Sequence, residues 1–240
     1  MSEVAWPATA EELERVQRQL AARADAAAPE VPAGWAVGMG GMRVGAVFVA
    51  TPRGADGPGA AGDDGWAAAV VLRGGEIEES RVVHGTLGAP YARGLLALRE
   101  GPLLERAVRA LSRPPDVLML NASGRDHPRR AGLAIHLGAV LDVPTLGVTD
   151  RPLVAVGSEP ATEPGSSAAL TLDREVVGYR LRLQRAARPV IVHGGWRLSP
   201  EVARELVLAT GGQHRTPRPL AVARQLARTA RAEATAQRSW

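Results

Sequence analysis

Residues 94–148 read GLLALREGPLLERAVRALSRPPDVLMLNASGRDHPRRAGLAIHLGAVLDVPTLGV, and the periodicity of this stretch decides the fold class. From Gly94 to Leu111 apolar residues (Leu95, Leu98, Leu103, Leu104, Val108, Leu111) recur at the spacing of a helix with one buried face. Pro114-Pro115 ends that helix, because a proline ring has no N–H to donate to the preceding turn. Asp116 to Leu120 then reads as a short buried strand. Ala131 to Leu141 repeats the helical spacing after His127-Pro128-Arg129-Arg130, and Val143 to Val148 is a second short apolar run. Helix then strand, twice over, implies parallel crossovers and so an α/β unit.

Upstream, Trp35 to Ala50 and Trp66 to Leu72 are apolar and rich in small or β-branched residues. Ile77 to Val83 continues them across Gly74-Gly75, a hairpin signal, so this half reads as an antiparallel meander. Further upstream, Ala8 to Ala22 is an amphipathic helix with Leu13, Val16, Gln17 and Leu20 on one stripe, and Thr9 with Glu12 makes a capping box. Downstream, Ala168 to Leu172, Val176 to Leu183 and Pro189 to Val192 read as strands, and Ser199-Pro200 caps a helix through Leu208. Leu220 to Ala232 closes as a helix carrying Arg224, Arg228 and Arg231 on one face, read as solvated, with contact to a phosphate backbone as the alternative. The sum is an α/β mixed sheet flanked by helices, a ribonuclease-H-like arrangement. One domain is expected over 1–226, with 51–65 a flexible insertion of Pro, Gly, Ala and Asp and 227–240 a helix end and tail.

The 240 residues are 45% hydrophobic and 22% charged, which excludes wholesale disorder. The chain has no lysine, so the net charge of +4 rests on arginine alone, a residue suited to bidentate contact with phosphates or carboxylates. A coding bias toward arginine gives the same excess. The absence of cysteine excludes disulfides and thiolate metal sites, leaving oxygen or imidazole ligands, and fits a cytoplasmic protein. Glu11, Glu12, Glu14 and Arg15 stand where an export signal would need an apolar run, and Arg43 interrupts Val31 to Pro52, so neither leader nor membrane span is expected.

Pro90-Tyr91-Ala92-Arg93-Gly94-Leu95-Leu96-Ala97-Leu98-Arg99-Glu100-Gly101-Pro102 strongly resembles the PYIPGLLxFREGP block of the endonuclease V family, metal-dependent nucleases that nick near deoxyinosine. Residues 115–138 resemble its PDxxxxDGxGxxHPRRxGxAxHxG segment, residues 141–148 its LDVPTIGVAK strand, and residues 188–196 its PxFVSPGH. Arg215-Thr216-Pro217-Arg218-Pro219 is similar to the family's RxPEP, and the whole likeness runs from Ala8 to Leu226.

The resemblance implies a site in which carboxylates converge on Mg²⁺ or Mn²⁺ to activate water and neutralise charge developing on phosphorus. The family supplies an aspartate on the first strand, the glutamate of the FRE block and the aspartate of DGxG, assisted by the SPGH histidine and the GVAK lysine. Here only Glu100 keeps its acid. Matching VAGVD to Ala36-Val37-Gly38-Met39-Gly40 puts Gly40 at the first aspartate, while Asn121, Asp150 and Trp196 fall at the DGxG aspartate, the lysine and the histidine. Glu100 and Asn121 would be the weak remnant of a metal site, with Trp196 filling the vacated volume.

The expectation is therefore a nucleic-acid-binding pseudo-nuclease that needs no metal. For contact with DNA or RNA, the resemblance points to Tyr91, Arg93, Gly124, His127, Arg129 and Arg130. Tyr91 keeps the ring of the family's strand-prying wedge, and the rest of this set either faces the nucleic acid or holds the helix starts together. His193 reads as a surface or satisfied polar group. One alternative is an active nuclease whose metal site is rebuilt with Asp126 or Asp150 beside Glu100; Asp63-Asp64 lie in the insertion and are set aside. Another is an interaction or regulatory module on the same fold.

Overall fold

The computed structural model describes residues 5–26, 41–52, 57–211 and 214–237. In chain order the elements are α1 (Ala10–Ala26), β1 (Val44–Ala50), β2 (Asp64–Arg73), β3 (Glu76–Thr86), α2 (Leu96–Arg109), β4 (Val117–Leu120) and α3 (Leu133–Leu141). They continue with β5 (Thr145–Thr149), β6 (Ser167–Leu172), β7 (Glu175–Leu181), β8 (Val190–Gly194), α4 (Pro200–Thr210) and α5 (Arg218–Gln237). The strands form one sheet in the order β3-β2-β1-β4-β5-β8-β7-β6. β1, β4 and β5 are parallel neighbours, and the other pairs are antiparallel. This is the mixed sheet of a ribonuclease-H-like fold.

Helices cover both faces, which is why the central strands are continuous apolar runs. On β1, Val47 and Val49 point toward Leu103, Leu104 and Leu133 of α2 and α3. The alternate residues Val44 and Ala46 point toward Leu206 and Val207 of α4 and Leu220 and Ala223 of α5. Small side chains let α5 approach the sheet closely: Ala50, Ala68 and Ala227 form one buried contact. Gly101 does the same on the other face, since a Cβ there would lie 2.2 Å from the Trp6 ring. No helix among the described residues is long and apolar enough to cross a membrane. Arg43 is instead buried at the foot of β1, donating to Glu78 (2.7 Å) and to the Pro114 carbonyl (2.5 Å).

Four expectations change. The capping box forms, with the Glu12 N–H donating to Thr9 Oγ1 at 3.2 Å, but α1 continues to Ala26 because Ala24 finds a buried place. The first strand begins at Val44, and residues 35–40, including Gly40, lie outside the described residues. Within the insertion expected to be loose, residues 57–63 are tied down. Tyr91 N–H donates to the Pro58 carbonyl (2.7 Å), Gly62 N–H to the Leu87 carbonyl (2.8 Å), and Arg99 to Asp63 (2.9 Å). Finally, α5 spans Arg218–Gln237, beyond the expected end at Ala232, and its arginines do not share one solvated face. Arg231 is buried and donates to the Thr51 carbonyl at 3.0 Å.

Candidate nucleic-acid interface

A cleft of about 530 Å³ opens where β4 and β5 end, the crevice in which parallel sheets present ligands to their loops. Tyr91, Glu100, Asn121, Ser123, His127 and Asp150 are among its lining residues.

The rim is organised by one carbonyl. Gly94 has a φ of +80°, a conformation that suits a residue without Cβ, and its carbonyl receives three donors. These are Gln17 Nε2 (3.1 Å), His127 Nε2 (3.0 Å) and Arg129 Nη2 (3.1 Å). The other ring nitrogen, His127 Nδ1, accepts from the Arg129 N–H at 3.2 Å, so the proton sits on Nε2. Burial pushes His127 down to about 4, which keeps the ring neutral and fixes that tautomer at neutral pH. Arg129 also donates to Gln17 Oε1 at 2.6 Å and pairs with Glu14 at 3.4 Å.

His127 and Arg129 thus hold the turn from Pro90 to Gly94, the structural half of the role expected of them. Three further members of that set are likewise committed. Arg93 donates to the Leu153 carbonyl, and Arg130 pairs with Glu175 and Asp173 of the β6–β7 hairpin. Gly124 is buried, with the Gly194 carbonyl 2.0 Å from where a Cβ would stand. Tyr91 is 54% exposed at the cleft edge, and among the described residues no hydrogen bond ties its side chain down.

The prospective metal ligands are equally changed. Val47 of β1 pairs with Leu120 of β4, so the next position on each strand sets Phe48 beside Asn121. Phe48, Asn121 and Glu100 together border a chamber of about 30 Å³. Phe48 escapes a reading that matches the VAGVD pattern to residues 36–40. Val44-Gly45-Ala46-Val47-Phe48 fits it as well, and its valines were the available signal.

Asp126 cannot serve as a rebuilt ligand. It is fully buried, and its two carboxylate oxygens accept the N–H groups of Leu153, Val154 and Ala155, each at 2.7 Å. Asp150 lines the cleft but pairs with Arg215, and Asp63 is held by Arg99. Asp64 meets His84 at 2.7 Å. Among the described residues no three His, Asp or Glu side chains gather to hold a metal ion. Trp196 fills no vacated metal pocket. It is buried with Leu20, Ala24, Ala131 and Ile135 between α1 and α3, outside the residues lining the cleft. His193 is not on the surface; it is buried and its Nε2 lies 3.0 Å from Thr149 Oγ1.

Glu100 remains as the acid at the base of the cleft. Burial pushes its carboxyl up from 4.5 to about 7, against the weaker opposing pull of Arg99. The folded chain therefore holds a proton that the unfolded chain releases. Stability is highest below the unfolded value and falls as pH rises through about 7, by about 2–3 kcal/mol in all. Glu100→Gln should abolish this slope. In urea unfolding, variant and parent should nearly coincide at about pH 4, with the variant more stable by about 2–3 kcal/mol at about pH 8. An unchanged difference between the two pH values would refute the assignment.

Comparison with known proteins places this geometry. The family model for Endonuclease V matches residues 52–225. Endonuclease V of Nocardia farcinica is 40% identical over 241 residues, spanning 98% of each chain. The crystal structure of Endonuclease V from Streptomyces avermitilis superimposes with a TM-score of 0.81 at 35% identity, covering 98% of this chain and 100% of that one. Ciona intestinalis Endonuclease V, solved in complex with a DNA containing an inosine, shares the fold with a TM-score of 0.73 at 20% identity, over 93% of this chain and 98% of that one. A sheet with this strand order, carrying the REGP helix start and the HPRR helix entrance on either side of one cleft, is matched along nearly its whole length, and the chain belongs to the Endonuclease V family.

Proposed function

We propose that the chain is a nucleic-acid-binding member of the Endonuclease V family that has lost metal-dependent phosphodiester cleavage. The observation that carries this reading is the trio that borders one small chamber, from β1, from α2 and from the residue after β4. Where a hard divalent ion needs converging anionic oxygens, there are one carboxylate, one amide and a phenyl ring: Glu100, Asn121 and Phe48. Dehydrating Mg²⁺ for Glu100 and the Asn121 carbonyl is unfavourable, and Phe48 adds no ligand. These residues do not fit the metal. Phe48 takes over the place that Gly40 was expected to hold.

The binding half of the reading rests on what is kept. Three donors fix the Gly94 carbonyl, and the turn they support presents Tyr91 as an exposed ring beside the cleft, suited to stacking on an unpaired base. The inosine-containing DNA bound by the Ciona protein supports nucleic acid as the ligand class. A nicking assay on inosine-containing DNA and RNA, with Mg²⁺ and with Mn²⁺, tests the loss. The expected result is no cleavage above the level left by a chelator; robust nicking that a chelator abolishes would overturn it.

A further inference from the structure

We propose that Arg224 and Arg228 of α5 form a phosphate-binding pair above Phe48, so that the backbone of a nucleic-acid strand is held there by guanidinium charge. The inference rests on the nucleic-acid-binding reading above and adds to it the group that neutralises the strand.

The first observation is position. The Arg224 guanidinium carbon lies 5.2 Å from the centroid of the Phe48 ring, and that of Arg228 lies 6.0 Å from it. Phe48 in turn borders the small chamber with Glu100 and Asn121. The two cations therefore stack on a residue that also borders this chamber. Stacking on an aromatic face also restrains a guanidinium; Arg224 Nε is buried, and it is the terminal N–H groups that stay open to donate.

The second observation is availability. Arg93, Arg99, Arg129, Arg130 and Arg215 commit their donors to carbonyls or carboxylates. Among the described residues, no hydrogen bond or ion pair is made by Arg224 or Arg228. Asp150 is the acid whose charge Arg224 feels, but Arg215 holds its carboxylate. Two adjacent unpaired arginines repel one another, and an anion between them would relieve that repulsion.

The third observation is shape. Both residues line an open groove of about 430 Å³ along α5, with Thr216, Gln225 and Thr229 supplying further polar groups. A groove open along its length suits a passing polymer. A phosphodiester backbone offers one anion per nucleotide and oxygens that match the guanidinium fork.

The test measures binding of a fluorescently labelled single-stranded oligodeoxynucleotide by anisotropy over a range of salt. In Arg224→Gln/Arg228→Gln, affinity should fall about tenfold, and the slope of log K against log salt should flatten by about 1.4, which is about 0.7 for each lost contact. Arg224→Lys/Arg228→Lys should keep most of the slope. Arg81→Gln, on β3 where Arg81 pairs with Glu79, should match the parent. Arg228→Glu, at an exposed position, tests the pair independently should the double Gln variant fail to fold, and it should bind more weakly still than loss of one contact predicts. Parent-like affinity and slope in both the Gln pair and Arg228→Glu would overturn the phosphate pair while leaving nucleic-acid binding intact. A parent chain that fails to bind even at low salt would overturn both.

Discussion

Phe48→Asp/Asn121→Asp/Arg224→Gln should bind Mn²⁺ at least about a hundred-fold more tightly than the unaltered chain, because it brings the carboxylates at this site from one to three. The two new acids stand side by side across the β1–β4 pairing, and both positions border the chamber that Glu100 reaches. The third change is needed for an electrostatic reason. An aspartate at position 48 would lie beneath the Arg224 guanidinium and pair with it, so its charge would be neutralised before a metal arrived. Phe48→Asp/Asn121→Asp with Arg224 left in place should therefore gain much less. Calorimetric titration with Mn²⁺ measures the affinity, and nicking of inosine-containing DNA measures whether the gain reaches chemistry. If the triple variant binds Mn²⁺ no better than the parent, the placement of the lost site at Phe48 is wrong.

Asp126→Ala should cost about 3–5 kcal/mol of stability, read by urea unfolding. One buried carboxylate satisfies three consecutive N–H groups, those of Leu153, Val154 and Ala155, and a methyl group offers them nothing. No water-facing route exists for the carboxylate itself, which is fully buried. The same loop carries the Leu153 carbonyl that Arg93 grips and follows Arg151 at the cleft wall. The variant should therefore also weaken oligonucleotide binding while Tyr91 stays in place. A stability change below about 1 kcal/mol would show that the three N–H groups find other partners.

Much of the architecture was legible because it depends on local periodicity. Residues 94–148 resolve into α2, β4, α3 and β5 in the expected order, since proline pairs and apolar spacing act over a few residues. The partners of charged side chains were not legible. Asp126 looked like a spare ligand beside His127, yet its three partners lie 27 to 29 residues further on, brought to it only by the packing of the 153–155 loop. Arg129 and Arg130 are neighbours in the chain, but one turns to α1 and the other to the β6–β7 hairpin, because Arg130 has a φ of +59° and the backbone reverses there. The candidate site was half legible. Motif alignment was enough to propose Asn121 and Asp150 as replaced positions, whereas setting Phe48 beside Asn121 needed the strand register. Trp196 failed for a similar reason: a motif position says which residue was replaced, not which way the new and larger side chain packs.

The triply held Gly94 carbonyl has a consequence for how a strand would be met. Gln17, His127 and Arg129 come from α1 and from the loop after β4, so the turn under Tyr91 is clamped from two elements before any ligand arrives. Ordering a loop on association costs affinity, and here the ordering is completed during folding. Association should then resemble the docking of a rigid platform, with little change in backbone dynamics around residues 90–94 and with the entropy of binding set by the strand, not by the protein.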